Sequence, residues 1–150
     1  VKKLLSMGYE FDIFVLRDCT VPFIQNKDIQ SAVDLLKKKR AGLVLGVYEQ
    51  HLNPYYNILE LNSKGFLKIV KPLKIKPRAR QEAPKVFQGN GLLVYNSKIF
   101  LKSNQYKKDQ QSNAIPYEIP IDTGLMIDTE FEFQVAKLMI ENNYFKHRKL

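Results

Sequence analysis

The stretch Phe11-Asp-Ile-Phe-Val-Leu-Arg17, together with the Gly42-Leu-Val-Leu-Gly-Val-Tyr48 that follows a polar amphipathic segment, decides the fold class. Phe11–Leu16 is a near-continuous apolar run, the mark of a strand buried on both faces. It stops at Arg17-Asp18-Cys19-Thr20-Val21-Pro22-Phe23, where Pro22 removes a ladder donor. Asn26 is placed to cap a helix over residues 27–40, with Ile29, Val33 and Leu36 at helical spacing. The basic run Lys37-Lys-Lys-Arg40 falls at the end of that helix, where cations oppose the dipole favourably and need no ligand to explain them. Residues 42–48 read as a second buried strand. Strand, helix and strand in this length predict a right-handed parallel crossover, hence an α/β fold with a mostly parallel sheet.

Working outward, Tyr55–Leu61 and Phe66–Val70 flank Asn62-Ser-Lys-Gly65, a hairpin signal. The hairpin is expected to leave the sheet as an arm over residues 50–75, with Tyr55 and Tyr56 offered to a partner surface. Pro72, Pro77 and Pro84 punctuate residues 71–84, which read as an ordered loop. Gly89-Asn90-Gly91 precedes a third core strand, Leu92–Tyr95, and Ser97 is placed to cap a short helix ending near 102. Residues 103–114 read as a mobile loop, and Ile115–Ile121 as a strand held extended by Pro116 and Pro120. Residues 130–144 read as a helix presenting Phe131, Val135, Leu138 and Met139 on one face. Residues 1–9 read as the last turns of another helix. With no internal repeat and no linker, residues 1–150 are expected to form a single domain.

The bulk composition fits this reading. A chain of 150 residues with 45% hydrophobic content, 8 Tyr and 9 Phe supports a globular core. No apolar run approaches the roughly 20 residues needed to span a bilayer, and no signal-peptide pattern is present, so no membrane partner is expected. One cysteine, Cys19, excludes an internal disulfide and fits a reducing, cytoplasmic setting. The net charge of +9 points to nucleic acid, an anionic membrane or a phosphate-rich ligand. The cluster Lys71–Arg80 reads as a solvated loop or a triphosphate contact.

No Walker loop, Cys/His metal spacing or nucleophile elbow occurs. His51 and His147 read as surface residues, and Cys19 as a small buried thiol. Two carboxylates are better placed. Asp18 lies just past the end of a buried strand, where ligands bind in open α/β sheets. Asp128 stands before Thr129-Glu-Phe-Glu132, which fits a capping box. That spacing makes Thr129 the cap and leaves Asp128 free to meet Mg²⁺, the usual partner of one or two carboxylates plus phosphates. Asn90 between two glycines is either a turn former or a place where a ligand approaches the backbone.

At these residues the sequence resembles the CMP-N-acylneuraminate synthetases, cytidylyltransferases that activate acidic sugars. The matching pieces are Phe11–Leu16, Thr20-Val-Pro22 with Lys27-Asp-Ile29, Leu43–Tyr48, Arg80-Gln81-Glu-Ala-Pro84, Asn90-Gly91 before Leu92–Tyr95, and Ile127-Asp128-Thr-Glu130. The resemblance implies a Rossmann-like sheet of the nucleotide-diphospho-sugar transferase type with a β-hairpin dimerisation arm. It implies transfer of CMP from CTP to an acidic sugar, with release of pyrophosphate and with Mg²⁺ or Mn²⁺ as cofactor. Asp128 matches the metal-binding Asp, and Arg80, Gln81 and Asn90 match sugar-side residues; Thr20 and Gly91 stand in the same substrate-binding motifs. A cytoplasmic homodimer is implied.

The chain also departs from that pattern. Where many members carry a first Asp, this chain has Met126, and where they read Gln-Pro-Thr-Ser-Pro it has Asp18-Cys-Thr-Val-Pro22. The run Asp18–Phe23 is similar to the metal-binding strand end of the methylerythritol phosphate cytidylyltransferases, so Asp18 is expected to replace the carboxylate absent at 126. The family's glycine-rich nucleotide loop has no match, so the chain is expected to be the C-terminal two-thirds of such an enzyme and inactive alone. Two rival readings are a non-catalytic dimerisation module of the same fold and a basic nucleic-acid-binding domain. Nucleic acid is the weaker rival, because the aromatics fall in apolar runs and not beside the basic clusters.

Overall fold

Apolar runs of the sequence become strands and helices around one sheet, and an insertion between two of its strands stands as a unit of its own. The computed structural model describes residues 1–102 and 114–147. Among these, helix α1 spans Lys2–Ser6, strand β1 Ile13–Arg17, α2 Asn26–Lys39, β2 Leu43–Glu49, β3 Leu59–Leu61, β4 Leu67–Ile69, β5 Phe87–Asn96, α3 Ser97–Lys102, β6 Ile115–Glu118 and α4 Glu130–Glu141. The chain divides into one compact unit of residues 1–48 and 89–150 and a second of residues 49–88.

The first unit holds a four-stranded mixed sheet in the order β1-β5-β2-β6. β1 runs antiparallel to β5, with Val15 opposite Val94, and β2 runs parallel to β6, with Gly46 opposite Tyr117. β1 and β2 are therefore not neighbours. The later strand β5 is inserted between them, which a strand–helix–strand pattern cannot reveal. At the end of the order, β1 is not buried on both faces: Val15 is 36% and Leu16 49% exposed. Its apolar run serves an aromatic cluster instead, Phe14 stacking on Tyr95 at 4.9 Å and meeting Phe100 edge-on at 4.8 Å. Burial among these rings pushes the Tyr95 hydroxyl pKa up. β2, by contrast, is buried along most of its length.

The core joins the loop after β1 (Val21), α2 (Leu36), β2 (Val44), β5 (Leu92, Val94) and the turn after β6 (Ile119). α2 begins one residue earlier than its sequence suggests. Gln25, not Asn26, is the cap, because Asp28 Oδ2 reaches back to accept from Gln25 N–H at 3.1 Å. Lys37–Lys39 occupy its last turn as expected. α3 is capped by Asn96, whose Oδ1 accepts from Ile99 N–H at 3.0 Å, so Ser97 is its first residue and not its cap. α4 buries Ala136 and leaves Phe131 and Leu138 76% and 58% exposed. The apolar face expected from Phe131, Val135, Leu138 and Met139 is thus rotated, because the small Ala136 sets where the helix is buried.

The second unit contains the expected hairpin in shorter form. Leu59 pairs with Ile69, Glu60 with Lys68 and Leu61 with Leu67. Asn62 Oδ1 accepts from the Lys64 and Phe66 amides, and Gly65 takes φ +79°, which a glycine adopts freely. Tyr55–Asn57 form a turn and not a strand, the amides of residues 56–58 all donating to Asn53 O. Arg80–Glu82 form a 3-10 turn within the proline-punctuated segment. Most of the stretch expected as a mobile loop, residues 103–113, lies outside the described residues. No helix among the described residues is long and apolar enough to cross a membrane.

Candidate functional site

Asp18 is the first residue beyond β1. Its amide donates to Gly91 O at 3.0 Å, and its carbonyl accepts from Val21 N–H at 3.2 Å, closing a tight turn. Arg17 braces that turn from outside: its guanidinium donates to Val21 O at 3.0 Å and to Pro22 O at 2.7 Å. The Asp18 side chain lies over Gly91, which has φ +75° inside β5; a Cβ there would come 2.6 Å from Asp18 Oδ2. Gly91 is required on both counts. The Gly89-Asn90-Gly91 segment is therefore not a turn but part of β5, locally distorted to receive a carboxylate.

Asp128 arrives from the other end of the unit. After β6 the chain turns through Thr123 and Gly124, and Met126 packs against the core. A carboxylate at position 126 would meet that apolar surface, which accounts for the side chain found there. Ile127 N–H then donates to Thr20 O at 2.8 Å, tying the Asp18 turn to the approach of Asp128. Thr129 caps α4, its Oγ1 accepting from Glu132 N–H at 3.3 Å. Glu132 Oε2 in turn accepts from the amides of Asp128 and Thr129 at 2.9 and 2.8 Å and from the Thr129 hydroxyl at 2.8 Å. The Thr129 hydroxyl, followed by the Asp128 amide, holds the Glu132 carboxyl below its ordinary pKa of 4.5.

Glu132 thus performs the capping, and the Asp128 carboxylate takes no part in it. Asp18 and Asp128 are both exposed, and neither carboxylate has a hydrogen bond or ion pair among the described residues. No group of three or more His, Cys, Asp or Glu able to hold a metal occurs among the described residues. A cation that retains water and phosphate ligands needs only one or two carboxylates. Thr20 contributes its backbone to this junction. Cys19, at the tip of the turn, is exposed and not the buried thiol its size suggested, because Val21 takes the inward position.

Asn90 is fully buried. Its Oδ1 accepts from Leu92 N–H at 3.3 Å, which fixes the amide's orientation and leaves Nδ2 without a partner. A Cβ at Gly46 would fall on Asn90 Oδ1, and one at Gly124 would come 3.2 Å from Nδ2, so two glycines make the slot that the amide fills. A buried donor left unpaired costs about 1–3 kcal/mol. Asn90 is therefore an outlier that packing alone does not explain.

Arg80 and Gln81 belong to the second unit. There they line a cleft of about 380 Å³ together with Glu49, His51, Asn53 and Lys85. The Lys85 ammonium pairs with Glu49 at 2.8 Å. Within residues 1–48 and 89–150, backbone hydrogen bonds link the Asp18 turn to Gly91 and, through Thr20, to Ile127 beside Asp128, while Arg80 and Gln81 line the cleft of residues 49–88. Sequence reasoning missed the brace from Arg17; His51 is exposed, as its sequence reading expected, and lines the same cleft as Arg80.

No protein-family model matches the sequence, and no curated protein matches it. Among solved structures, one similar fold is CMP:2-keto-3-deoxy-manno-octonic acid synthetase complexed with CTP, at TM-score 0.59 and 12% identity over 93% of this chain and 66% of that one. Another is 4-diphosphocytidyl-2C-methyl-D-erythritol synthase from Anaerococcus prevotii DSM 20548, at TM-score 0.60 and 11% identity over 93% of this chain and 64% of that one. The fold is that of the nucleotide-diphospho-sugar transferases, and the chain spans just under two thirds of the length of either structure.

Proposed function

We propose that this chain carries the metal-binding and acceptor-binding portion of a cytidylyltransferase that activates an acidic sugar with CTP. A hydroxyl of the sugar attacks the α-phosphorus; the new O–P bond forms as the bond to the β-phosphate breaks, pyrophosphate leaves, and the hydroxyl proton passes to solvent. Asp18 and Asp128 hold Mg²⁺ or Mn²⁺, which when bound supplies neutralising charge to the phosphates. Gly91 lets the Asp18 carboxylate lie against the sheet, and the Thr20–Ile127 backbone bond fixes the two aspartate loops to each other. Arg80 and Gln81 serve the sugar acid, an Arg fork being suited to a carboxylate. The observation that carries this reading is the junction itself: two carboxylates without partners at one backbone contact, in a fold shared with two cytidylyltransferases.

A second copy of the chain is the partner that fits the hairpin. Leu59, Leu61, Leu67 and Ile69 fall on one face of β3–β4 by their pairing, with Leu61 and Leu67 68% and 66% exposed, while the Glu60–Lys68 ion pair occupies the other face. Both the metal and the dimer belong to this proposal.

The metal site is tested by NMR with Mn²⁺ and CTP. Paramagnetic broadening is expected to centre on the amides of Asp18, Thr20, Gly91 and Asp128. Asp18→Asn and Asp128→Asn are each expected to weaken Mn²⁺–CTP binding at least as much as loss of an outer-sphere partner, about 10–100-fold. Broadening centred elsewhere, or unchanged in both variants, would reject the junction as the metal site.

A further inference from the structure

In the sequence the aromatics stand in apolar runs apart from the basic clusters, but the folded insertion brings two of them to the basic segment. Residues 49–88 carry eight Lys and Arg against three Glu, so they supply five of the chain's nine net positive charges. All three acids are engaged locally. Glu49 pairs with Lys85 at 2.8 Å and Glu60 with Lys68 at 3.0 Å, while Glu82 Oε2 accepts from Arg78 N–H at 2.7 Å. The side chains of Lys71, Lys74, Lys76 and Arg78 are exposed and have no ion pair among the described residues. A charge run of this kind is usually a solvated face, and charge alone would specify no ligand.

Here the cations rim an aromatic cleft. Tyr55, Tyr56, Pro72, Leu73, Lys76 and Pro77 line a space of about 230 Å³. The turn that bears both rings is clamped by side-chain amides: Tyr55 N–H donates to Asn53 Oδ1 and Asn53 Nδ2 to Pro84 O, at 2.9 Å each, and Asn53 N–H donates to Asn57 Oδ1 at 2.6 Å. Lys71 N–H donates to Pro54 O at 2.8 Å, which fixes the start of the basic segment beside that turn. The Lys71 ammonium lies 5.7 Å from the centre of the Tyr55 ring, within cation–π range. Pro77 is buried and pins the segment further along.

We propose that this cleft binds single-stranded nucleic acid, one base entering against Tyr55 and Tyr56 while Lys71, Lys74, Lys76 and Arg78 meet the flanking phosphates. Base stacking on aromatic rings supplies affinity for any sequence, and a cationic track follows the backbone. A duplex does not fit, because its bases are stacked on one another and cannot enter. The cleft is smaller than the roughly 300–1,000 Å³ of sites that enclose a whole small ligand, which suits one base of a longer chain. Its concavity also favours a strand over an anionic bilayer, into which apolar side chains must protrude. Arg80 lines the other cleft and takes no part.

The test is fluorescence anisotropy of a labelled single strand of about ten nucleotides, titrated with the whole chain at a series of salt concentrations, without metal or CTP. Four phosphate contacts at roughly 0.7 each predict a log–log salt slope of about −3. Lys74→Gln and Lys76→Gln are each expected to weaken binding and to reduce the steepness of that slope by about 0.7. Tyr55→Leu is expected to weaken binding about tenfold with the slope unchanged, and Tyr55→Phe to bind as the wild type does. In the wild-type chain, the ring-proton NMR signals of Tyr55 and Tyr56 are expected to shift as the strand binds. Ring signals that stay in place overturn the proposal, and this reading needs no variant to fold. So does a slope unchanged in both Lys variants, a duplex of the same sequence bound as tightly, or polyglutamate competing as well as the strand. Co-sedimentation with phosphatidylserine vesicles and no binding of the strand would assign the segment to a membrane surface, and equally overturns it.

Discussion

The two units are held by different means. Residues 1–48 and 89–150 bury Val21, Val44, Leu92 and Val94 completely, with Leu36 and Ile119 nearly so. Among the described residues of 49–88, the buried positions are Asn53 and Pro77. The first unit rests on apolar area removed from water, at about 25 cal/mol per Å². The second rests on side-chain amides. A single hydrogen bond nets only about 1 kcal/mol, yet stranding its buried partner costs about 1–3 kcal/mol. The difference teaches where each unit is vulnerable: the first to lost volume, the second to lost polar atoms. It also separates the chemistry, with unpaired carboxylates at a backbone junction of the first and unpaired donors in an amide-clamped cleft of the second.

The largest effect expected from this contrast is Leu92→Ala. A fully buried Leu at the centre of β5 loses transfer energy and leaves a cavity, so unfolding free energy should fall by about 3–5 kcal/mol and Tm by about 10 °C. The matching change in the second unit, Leu61→Ala, removes a side chain already 68% exposed. It is expected to leave Tm nearly unchanged and to show instead as weaker self-association in sedimentation velocity. A comparable Tm loss from Leu61→Ala would mean that the hairpin face is covered within the monomer, and the contrast would fail.

Next comes Asn53→Ala. It strands Pro84 O and Tyr55 N–H, which Asn53 now satisfies at 2.9 Å each. The expected loss is about 2–3 kcal/mol, confined in hydrogen exchange to amides of residues 49–88. Protection at Val44 and Val94 should not change. Faster exchange at those two residues would show one cooperative structure in place of two.

The same contrast explains which features were legible in the sequence. Buried apolar runs announce themselves, so β2 and the α2 periodicity were readable, and the Asn62–Gly65 turn residues marked the hairpin. Strand order was not, because β5 enters between β1 and β2 by pairing that no local pattern encodes. For the same reason β1 read as two-sided: its Phe and Leu residues are apolar whether they meet a neighbouring strand or an aromatic cluster. The exposed face of α4 was misjudged because a helix with apolar residues around much of its surface can be buried on more than one stripe, and Ala136 chose. At the site, the freedom of Asp128 was legible from the Thr129–Glu132 spacing. The fit of Asp18 against Gly91 was not, since it depends on the β1–β5 register.

The smallest effect tests that spacing directly. Thr129→Ala removes the cap hydroxyl and is expected to cost about 1 kcal/mol near neutral pH. Its pH dependence has a definite sign. The folded-state pKa of Glu132 lies below its ordinary 4.5, chiefly through the Thr129 hydroxyl. The stabilisation from that carboxylate is therefore present above pH 4.5 and is lost as pH falls through the lowered value. Thr129→Ala deletes the leading cause of the shift, so the stability gap between wild type and variant should narrow on acidification, measured by urea unfolding at neutral and acid pH. A gap that widened instead would mean that the Asp128 carboxylate takes over the cap once the hydroxyl is gone. Asp128 would then be engaged with α4, and the junction with Asp18 would lose the free carboxylate that the proposed metal site requires.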